Sequence, residues 1–391
     1  MLTTAGWPLA SAPPIDDADP GRYTALFGRD SLIVSLQVLP ARPDIARATL
    51  RELAAAQGRQ DDPETEEAPG KILHERWEHA PSRLVQLGWP LRDGGIVYYG
   101  SADATSWFLV VLDALGDCAL AAELEPAWRA AGRWLHAALE DGGGLVRHGR
   151  RHLPGGLAQQ GWRDTRDPVG SHDGGGILRE DGSAPRCPLA DADSQAAAVA
   201  ALRALARLSG SPRDHEAAGA LATRIKNAFG PETIAIEPDG RAVGGAGSWL
   251  GWLLWAGVLS DLYAERLVRP DLLTPWGLRT LSAAHPAFHP HAYHRGSVWP
   301  FDSWLGWGGL RAAGFHAEAE SVRTGVLAAI DSLGLWPELY AVGAGGPEPI
   351  AIANRVQAWT VGAAWALANE WDGLITGPPG CAQRRAPGRD R

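Results

Sequence analysis

Cysteine, positive charge and long apolar runs are all scarce in this sequence, and each scarcity excludes something. The three cysteines, Cys118, Cys187 and Cys381, are odd in number, far apart and without metal-ligand spacing, so they read as reduced thiols of a cytoplasmic protein. No stretch reaches the ~18 apolar residues a membrane span requires, and no charged segment followed by an apolar run opens the chain. Secretion and membrane insertion are not expected. A net charge of −9 offers no basic field to a phosphate backbone or an anionic lipid surface, which leaves a neutral or small ligand and excludes nucleic acid and membrane as partners. Tyr and Phe are also few, six of each beside 18 Trp. An indole N–H needs an acceptor when buried, so this excess suggests either stacking surfaces for a ligand or a large helical core that uses Trp as filler.

What is present is a chain of 391 residues, 45% hydrophobic and 21% charged, ordinary for a globular protein with a large core. A length prior of roughly 100–200 residues per domain suggests two or three domains, although barrels exceed it. Residues 1–25 have no periodic pattern and read as an irregular lead-in. An apolar run over 31–39 and a pattern from Pro43 to Gly58 then form a helical hairpin, with Pro in the first turn and Gly past the end. Residues 59–70 form an acidic loop, and 71–102 look irregular with short strands near 95–99. Helical patterns return at 104–115, 121–139, 190–209, 212–229, 249–267 (broken at Gly257), 297–313, 316–331 and 354–370, and the tail from Gly377 is expected to fray. Between them lies a Gly-rich connection, 141–187, far beyond the ~12–15 residues at which a structureless loop becomes functional or disordered.

Paired helices with long alternate connections fit an open solenoid or a closed ring of hairpins. No period of roughly 30–50 residues is visible, so closure is expected: an all-α (α/α)6 toroid of six helical hairpins over 26–376, with its long loops gathered at one end. Four clusters of polar and aromatic residues sit in or beside those loops: Phe27-Gly28-Arg29-Asp30-Ser31, Tyr98 to Thr105, Gln160 to Asp167, and His289 to Asp302 followed by Trp336 to Tyr340. The third, QGWRDTRD, places a flat aromatic, a cation and two carboxylates in one turn. Those groups suit a sugar, whose C–H faces pack on aromatics while its hydroxyls bond to carboxylates and Arg. Ordinary surface turns and helix caps use the same residue types.

The strings LFGRDSL, DPETEEAPGKILHE, YYGSADAT, QGWRD, YHRGSVWPFD, WPELY and NRVQAW, in that order from about residue 23 to 368, resemble the catalytic domain of bacterial amylo-alpha-1,6-glucosidase (glycogen-debranching-like) proteins, within the glucoamylase-like glycoside hydrolases. The resemblance implies inverting hydrolysis of an α-glucosidic bond, here in a small oligosaccharide or glucoside, with no cofactor. It makes Asp164 the general acid and Glu338 the general base. Arg29, Asp30 and Asp103 would hold the hydroxyls of the released sugar, Trp162 and Trp299 would form stacking walls, and His294 and Asp302 would bind substrate. Lys71 with Glu75 would bring the acidic loop over the site.

An acid that stays protonated requires that Arg163 and Arg166 turn away from Asp164, towards Asp167 or solvent. The chain departs from the family at Asp193, where a Glu is frequent, and at Trp252 and Phe301, where a His is frequent, which puts the subsites in doubt more than the reaction. His285, His289, His291 and His294 fit no standard zinc spacing. They leave open a sugar epimerase or isomerase with histidine bases, and a sugar-binding protein without turnover is a third reading.

Overall fold

The structure is a computed structural model that describes residues 1–15 and 22–374; the tail from Gly377 and Cys381 lie outside them. Strand β1 (Leu26–Phe27) leads into helices α1 (Gly28–Gln37) and α2 (Pro43–Ala55), followed by β2 (Glu75–Trp77), α3 (Ser82–Gln86) and β3 (Ile96–Tyr98). Helices α4 (Ala104–Leu115), α5 (Cys118–Glu123) and α6 (Glu125–Asp141) precede the long connection. Beyond it come β4 (Ala190–Asp191), α7 (Ala192–Ser209), α8 (Pro212–Ala228), β5 (Thr233–Ile236), β6 (Ala242–Gly244), α9 (Trp249–Trp255) and α10 (Asp261–Leu267). The remainder is β7 (Leu273–Thr274), β8 (Gly277–Leu278), α11 (Pro300–Ala312), α12 (His316–Leu333), β9 (Tyr340–Gly343), β10 (Gly346–Pro349) and α13 (Ala358–Ala368).

Burial divides the helices into two kinds. All residues of α1 and of α9 are buried, as is α11 from Pro300 to Leu310. A helix apolar on every side must be surrounded by protein. By contrast α2 buries one stripe, Ile45, Ala46, Thr49, Leu50 and Leu53, and α8 buries only Asp214, Ala218, Leu221 and Ile225. The buried helices pack in chain order, α1 on α4, α4 on α7, α7 on α9, α9 on α11 and α11 on α13, and α13 packs back on α1. The amphipathic helices α2, α6, α8, α10 and α12 each lie against one or two of them.

The chain is not all-α. Four small antiparallel sheets occur among the described residues, β1-β2-β3, β4-β5-β6, β7-β8 and β9-β10. Strands of two to four residues are too short to show an alternating pattern, so only β3, inside the 95–99 expectation, was legible. They arise because long connections that run over a buried end must pair their backbone N–H and C=O groups. The pattern over 249–267 is two helices, α9 and α10, and an additional short helix, α5, precedes α6. The reading of three reduced thiols fails at Cys118, which is disulfide-bonded; spacing along the sequence does not tell which thiols a folded chain brings together. Cys187 is free. No described helix is long and apolar enough to cross a membrane.

Helices α9 and α11 approach closely where glycines face each other. A Cβ on Gly251 would stand 2.5 Å from the Gly306 Cα, and one on Gly309 2.2 Å from the Gly251 carbonyl oxygen. Backbone atoms in packed helices cannot move aside. Gly309→Ala should therefore lower the unfolding free energy by about 1–3 kcal/mol, seen as a lower urea midpoint with an unchanged slope; an unaltered midpoint would contradict this packing.

Candidate active site

The connection between α6 and β4 contains no helix, and it is held by isolated bridges such as His148 with Leu189 and Gln159 with Thr165. Within it the turn around QGWRD is fixed at successive atoms. The Gln160 N–H donates to His148 Nδ1 (3.0 Å), its carbonyl accepts from the Ala102 N–H (2.8 Å), and the Gly161 carbonyl accepts from Arg29 Nη2 (2.9 Å). The Gln160 side chain donates to Glu66 Oε2 at 2.6 Å, which ties the acidic loop to this turn. Glu66 is fully buried with φ of +58°, a conformation that a non-glycine residue keeps only when its surroundings impose it.

Arg29 is the hub of the site. It is buried in the first turn of α1, its Nε donates to both Asp103 oxygens (3.0 and 2.9 Å), and its Nη1 donates to Asp164 Oδ2 (3.0 Å). Asp103 stands at the N-cap of α4 and Asp30 in the first turn of α1, where helix dipoles favour negative charge. Burial dominates the carboxyl chemistry here. It raises Asp164 to about 6 against the charge and hydrogen bond of Arg29, with Asp103 and Asp173 adding to the rise, although the Asp164 side chain keeps 25% of its exposure. Burial raises Asp30 to about 7, opposed by Arg29 and reinforced by Asp164 and Asp103. It also raises Glu75 to about 7, against a hydrogen bond from Trp77 Nε1 and with the charges of Asp164 and Asp30 adding.

Glu338 precedes β9 by two residues and reaches the same space. Tyr293 Oη donates to its Oε1 (2.5 Å), and the backbone and side-chain amides of Asn354 donate to its Oε2 (3.1 and 3.4 Å). Burial pushes Glu338 up to about 8 while these donors pull it down and Asp30 adds to the rise. Tyr23 Oη lies 3.1 Å from Tyr293 Oη. The Tyr23 hydroxyl is raised, by burial first, with the charges of Glu338 and Asp164 adding and its hydrogen bond with Tyr293 opposing.

Behind this cluster lies an aromatic layer. Trp162 (1% exposed) is parallel to Trp252 at 5.8 Å and meets Trp299, Phe301 and His294 edge-on. Its faces are taken up by protein, since the Arg163 guanidinium lies 4.5 Å from its ring centre, and the His294 ring stacks on Trp299. Arg163 does turn from Asp164, but inward rather than to Asp167 or solvent: it binds Asp193 (3.0 Å), Ser248 and the carbonyls of Thr280 and His294. Asp193 and Trp252, two of the family departures, thus belong to one buried layer and satisfy each other's surroundings. His294 accepts from the Gly176 N–H at Nδ1, and burial and neighbouring guanidiniums hold it well below the ordinary histidine range.

The structure therefore joins Arg29, Asp30, Glu75, Asp103, Asp164 and Glu338, and places Trp162, Trp299, His294 and Asp302 in or beside the layer behind. Asp302 accepts from Trp252 Nε1 at 2.6 Å and leaves its second oxygen without a partner, and burial raises it to about 7. Lys71 donates to the Glu66 carbonyl (3.3 Å) and is lowered to about 8 by burial. Tyr23, Glu66, His148, Tyr293 and Asn354 were missed; Tyr293 and Asn354 lie inside YHRGSVWPFD and NRVQAW, so their strings carried a signal although their roles did not. His291 pairs with Glu348 at the surface (3.1 Å), and among the described residues no group of three or more His, Cys, Asp or Glu could hold a metal ion.

Buried carboxyls gathered beside Arg29, one of them partly exposed, with indoles packed behind them, are groups suited to glycoside hydrolysis. A family model described as "Mannosylglycerate hydrolase MGH1-like glycoside hydrolase domain" matches residues 29–340, and the chain belongs to this family. Among solved structures, the GH63 mannosylglycerate hydrolase from Thermus thermophilus in complex with Tris and D-glycerate is similar with a TM-score of 0.68 and 17% identity, over 94% of this chain and 97% of that chain. The same enzyme in complex with glucose gives 0.65 and 17%, over 93% and 97%. A wild-type glycosidase gives 0.56 and 16%, over 95% and 93%. These likenesses concern the fold. No curated protein matches the chain. The debranching-enzyme resemblance is thus supported as far as a GH63-type glycoside hydrolase and not specifically as an amylo-alpha-1,6-glucosidase, because its strings hold the pocket and not the features that select a linkage.

Asp302 supplies a test of the burial argument. Its folded-state value near 7 lies above the ~3.9 of an unfolded Asp, so its contribution to stability is complete below about pH 4 and is lost as pH rises through about 7. Asp302→Asn keeps the acceptor for Trp252 and removes the titration. The variant should gain stability relative to the parent between about pH 4 and pH 8, measured by chemical denaturation across that range; a difference independent of pH would refute the argument.

Proposed function

We propose that this protein is an inverting hydrolase of an α-glycosidic bond joining a hexose to a small aglycone, with Asp164 as general acid and Glu338 as general base. What supports this reading is that Asp164 stands partly exposed on Arg29 and that Glu338, 174 residues further along, is held by Tyr293 and Asn354, in a chain of a glycoside hydrolase family. The succession of buried helices that returns from α13 to α1 supports an (α/α)6 toroid, in which such loops meet at one end.

In this reaction Asp164 protonates the glycosidic oxygen while Glu338 takes a proton from water attacking the anomeric carbon from the opposite face, which in inverting enzymes requires carboxyls roughly 6.5–9.5 Å apart. Arg29 occupies Asp164 Oδ2, which leaves Oδ1 to carry the proton. Asn354 and Tyr293 orient Glu338. Arg29, Asp30 and Asp103 hold hydroxyls of the sugar, and the buried layer of Trp162, Trp299 and His294 supports them from behind, its ring faces being covered by protein.

The family and the glycerate-bound relative support a glucoside or mannoside of a small hydroxy acid. The histidine-based epimerase gains no support, since the Nδ1 lone pair of buried His294 is taken by the Gly176 N–H, which puts the ring proton on Nε2 and leaves no free base.

Two measurements test this reading. On α-glucosides and α-mannosides of glycerate and of neutral alcohols, Asp164→Asn and Glu338→Gln should each lower kcat by about 10²–10⁴-fold, and NMR should show the β-anomer as first product; full activity in either variant, or an α-anomer, overturns it. The reactive form has Asp164 protonated and Glu338 ionised. Because Glu338 is raised further, to about 8, than Asp164, to about 6, this is the minority protonation form, about 1% of molecules, and the opposite form predominates; kcat/KM should still be flat between the two values and fall tenfold per unit below the first and above the second.

A further inference from the structure

We propose that His148, with Asp191, is a positioning residue for the proton donor: it sets the height of the QGWRD turn and thereby the place of the Asp164 carboxyl. This inference rests on Asp164 being the acid.

The argument begins with a hydrogen-bond count. His148 is 5% exposed and lies in the long connection, paired by a backbone bridge to Leu189. Its Nδ1 accepts from the Gln160 N–H at 3.0 Å, so that nitrogen carries no proton. The ring proton is therefore on Nε2, where it is donated to Asp191 Oδ1 at 3.0 Å. A neutral imidazole thus bridges the start of the acid turn to the N-cap of α7, a helix buried along most of its length. The tautomer is determined by geometry, as in histidines whose second nitrogen is oriented by a carboxylate.

The second Asp191 oxygen makes the bridge a gauge of distance. Asp191 Oδ2 is buried without a hydrogen-bond partner, and it faces the Gly161 Cα so closely that a Cβ there would stand 2.5 Å from it. Gly161 is thus pressed from below by the carboxylate that His148 holds, while its carbonyl is held by Arg29 Nη2, the same guanidinium that binds Asp164. One side of the turn is anchored through His148 and Asp191 to α7, and the other through Arg29 to α1. Asp164 is three residues from Gly161 and, among the described residues, has no other side-chain anchor than Arg29. Removing the His148 acceptor leaves the buried Gln160 N–H unpaired and loosens the entry to the turn, while Arg163 on Asp193 and the Gln159–Thr165 bridge still hold its far end, so the Asp164 carboxyl is shifted and not released. Misplacement of a catalytic group by about 1 Å costs on the order of 10²-fold in rate.

The two ring nitrogens can be separated by substitution. An Asn amide oxygen takes the place of Nδ1, and a Gln amide nitrogen takes the place of Nε2. His148→Ala and His148→Gln should lower kcat by about 10–100-fold with KM within about twofold, and His148→Asn should restore kcat to within about threefold of the parent. Rates are taken per folded molecule, at a temperature below the thermal transition of the least stable variant. Equal kcat in the Asn and Gln variants, or parent kcat in the Ala variant, overturns the proposal. Asp164→Asn is run beside them: if it keeps full activity, the acid assignment has failed, whereas an inactive Asp164→Asn with a fully active His148→Ala shows that only the positioning role is wrong.

Discussion

The site depends on one buried guanidinium. Arg29 spends its three nitrogens on Asp103, the Gly161 carbonyl and Asp164, and so joins the N-termini of two buried helices to a loop that has no secondary structure of its own. Breaking a buried, hydrogen-bonded charge pair leaves its partner uncompensated, commonly at about 3–5 kcal/mol. An Arg is suited to this junction because its planar fork can bind a carboxylate through two bonds and still donate elsewhere, which a point-charge ammonium cannot do. Through Arg29 the acid loop gains the rigidity of the helices, and Asp164 gains it while still reaching the partly open part of the site.

That junction creates an electrostatic problem, for Asp30, Asp103 and Asp164 crowd around Arg29 while the charges of Asp30 and Asp164 also act on Glu75 and that of Asp30 on Glu338. They cannot all ionise in a buried space, and the raised values of Asp30, Glu75 and Glu338 express this. A second charge layer is kept apart from the first: Arg163 compensates Asp193 behind the Trp162 ring and leaves Asp164 to Arg29. The aromatic layer separates the two sets, so the arginine next in sequence to Asp164 does not compete for it.

Much of the helical framework was legible because amphipathic stripes such as Ile45-Ala46-Leu50-Leu53 repeat with helical spacing and Pro and Gly mark the ends. The short strands were not, since two to four residues carry no period. Residue types alone singled out the Trp162-Arg163-Asp164 turn, and the ordered strings of the family resemblance added Glu338. The inward turn of Arg163 escaped notice because its partners, Asp193, Ser248, Thr280 and His294, are spread over more than a hundred residues. His148 escaped because a lone histidine in a Gly-rich loop carries no local pattern.

The sequence by itself determined which segments become helices and which short strings carry chemistry, since periodicity, capping residues and side-chain type are local properties. Tertiary structure alone decided the partners: that Arg29 takes Asp164, that Asp193 takes Arg163, and that Glu338 is held by Tyr293 and Asn354. Protonation follows from partnership and burial, and neither is a property of one residue. A carboxyl becomes an acid or a base by what surrounds it, and here those surroundings are assembled from helices and loops distant along the chain.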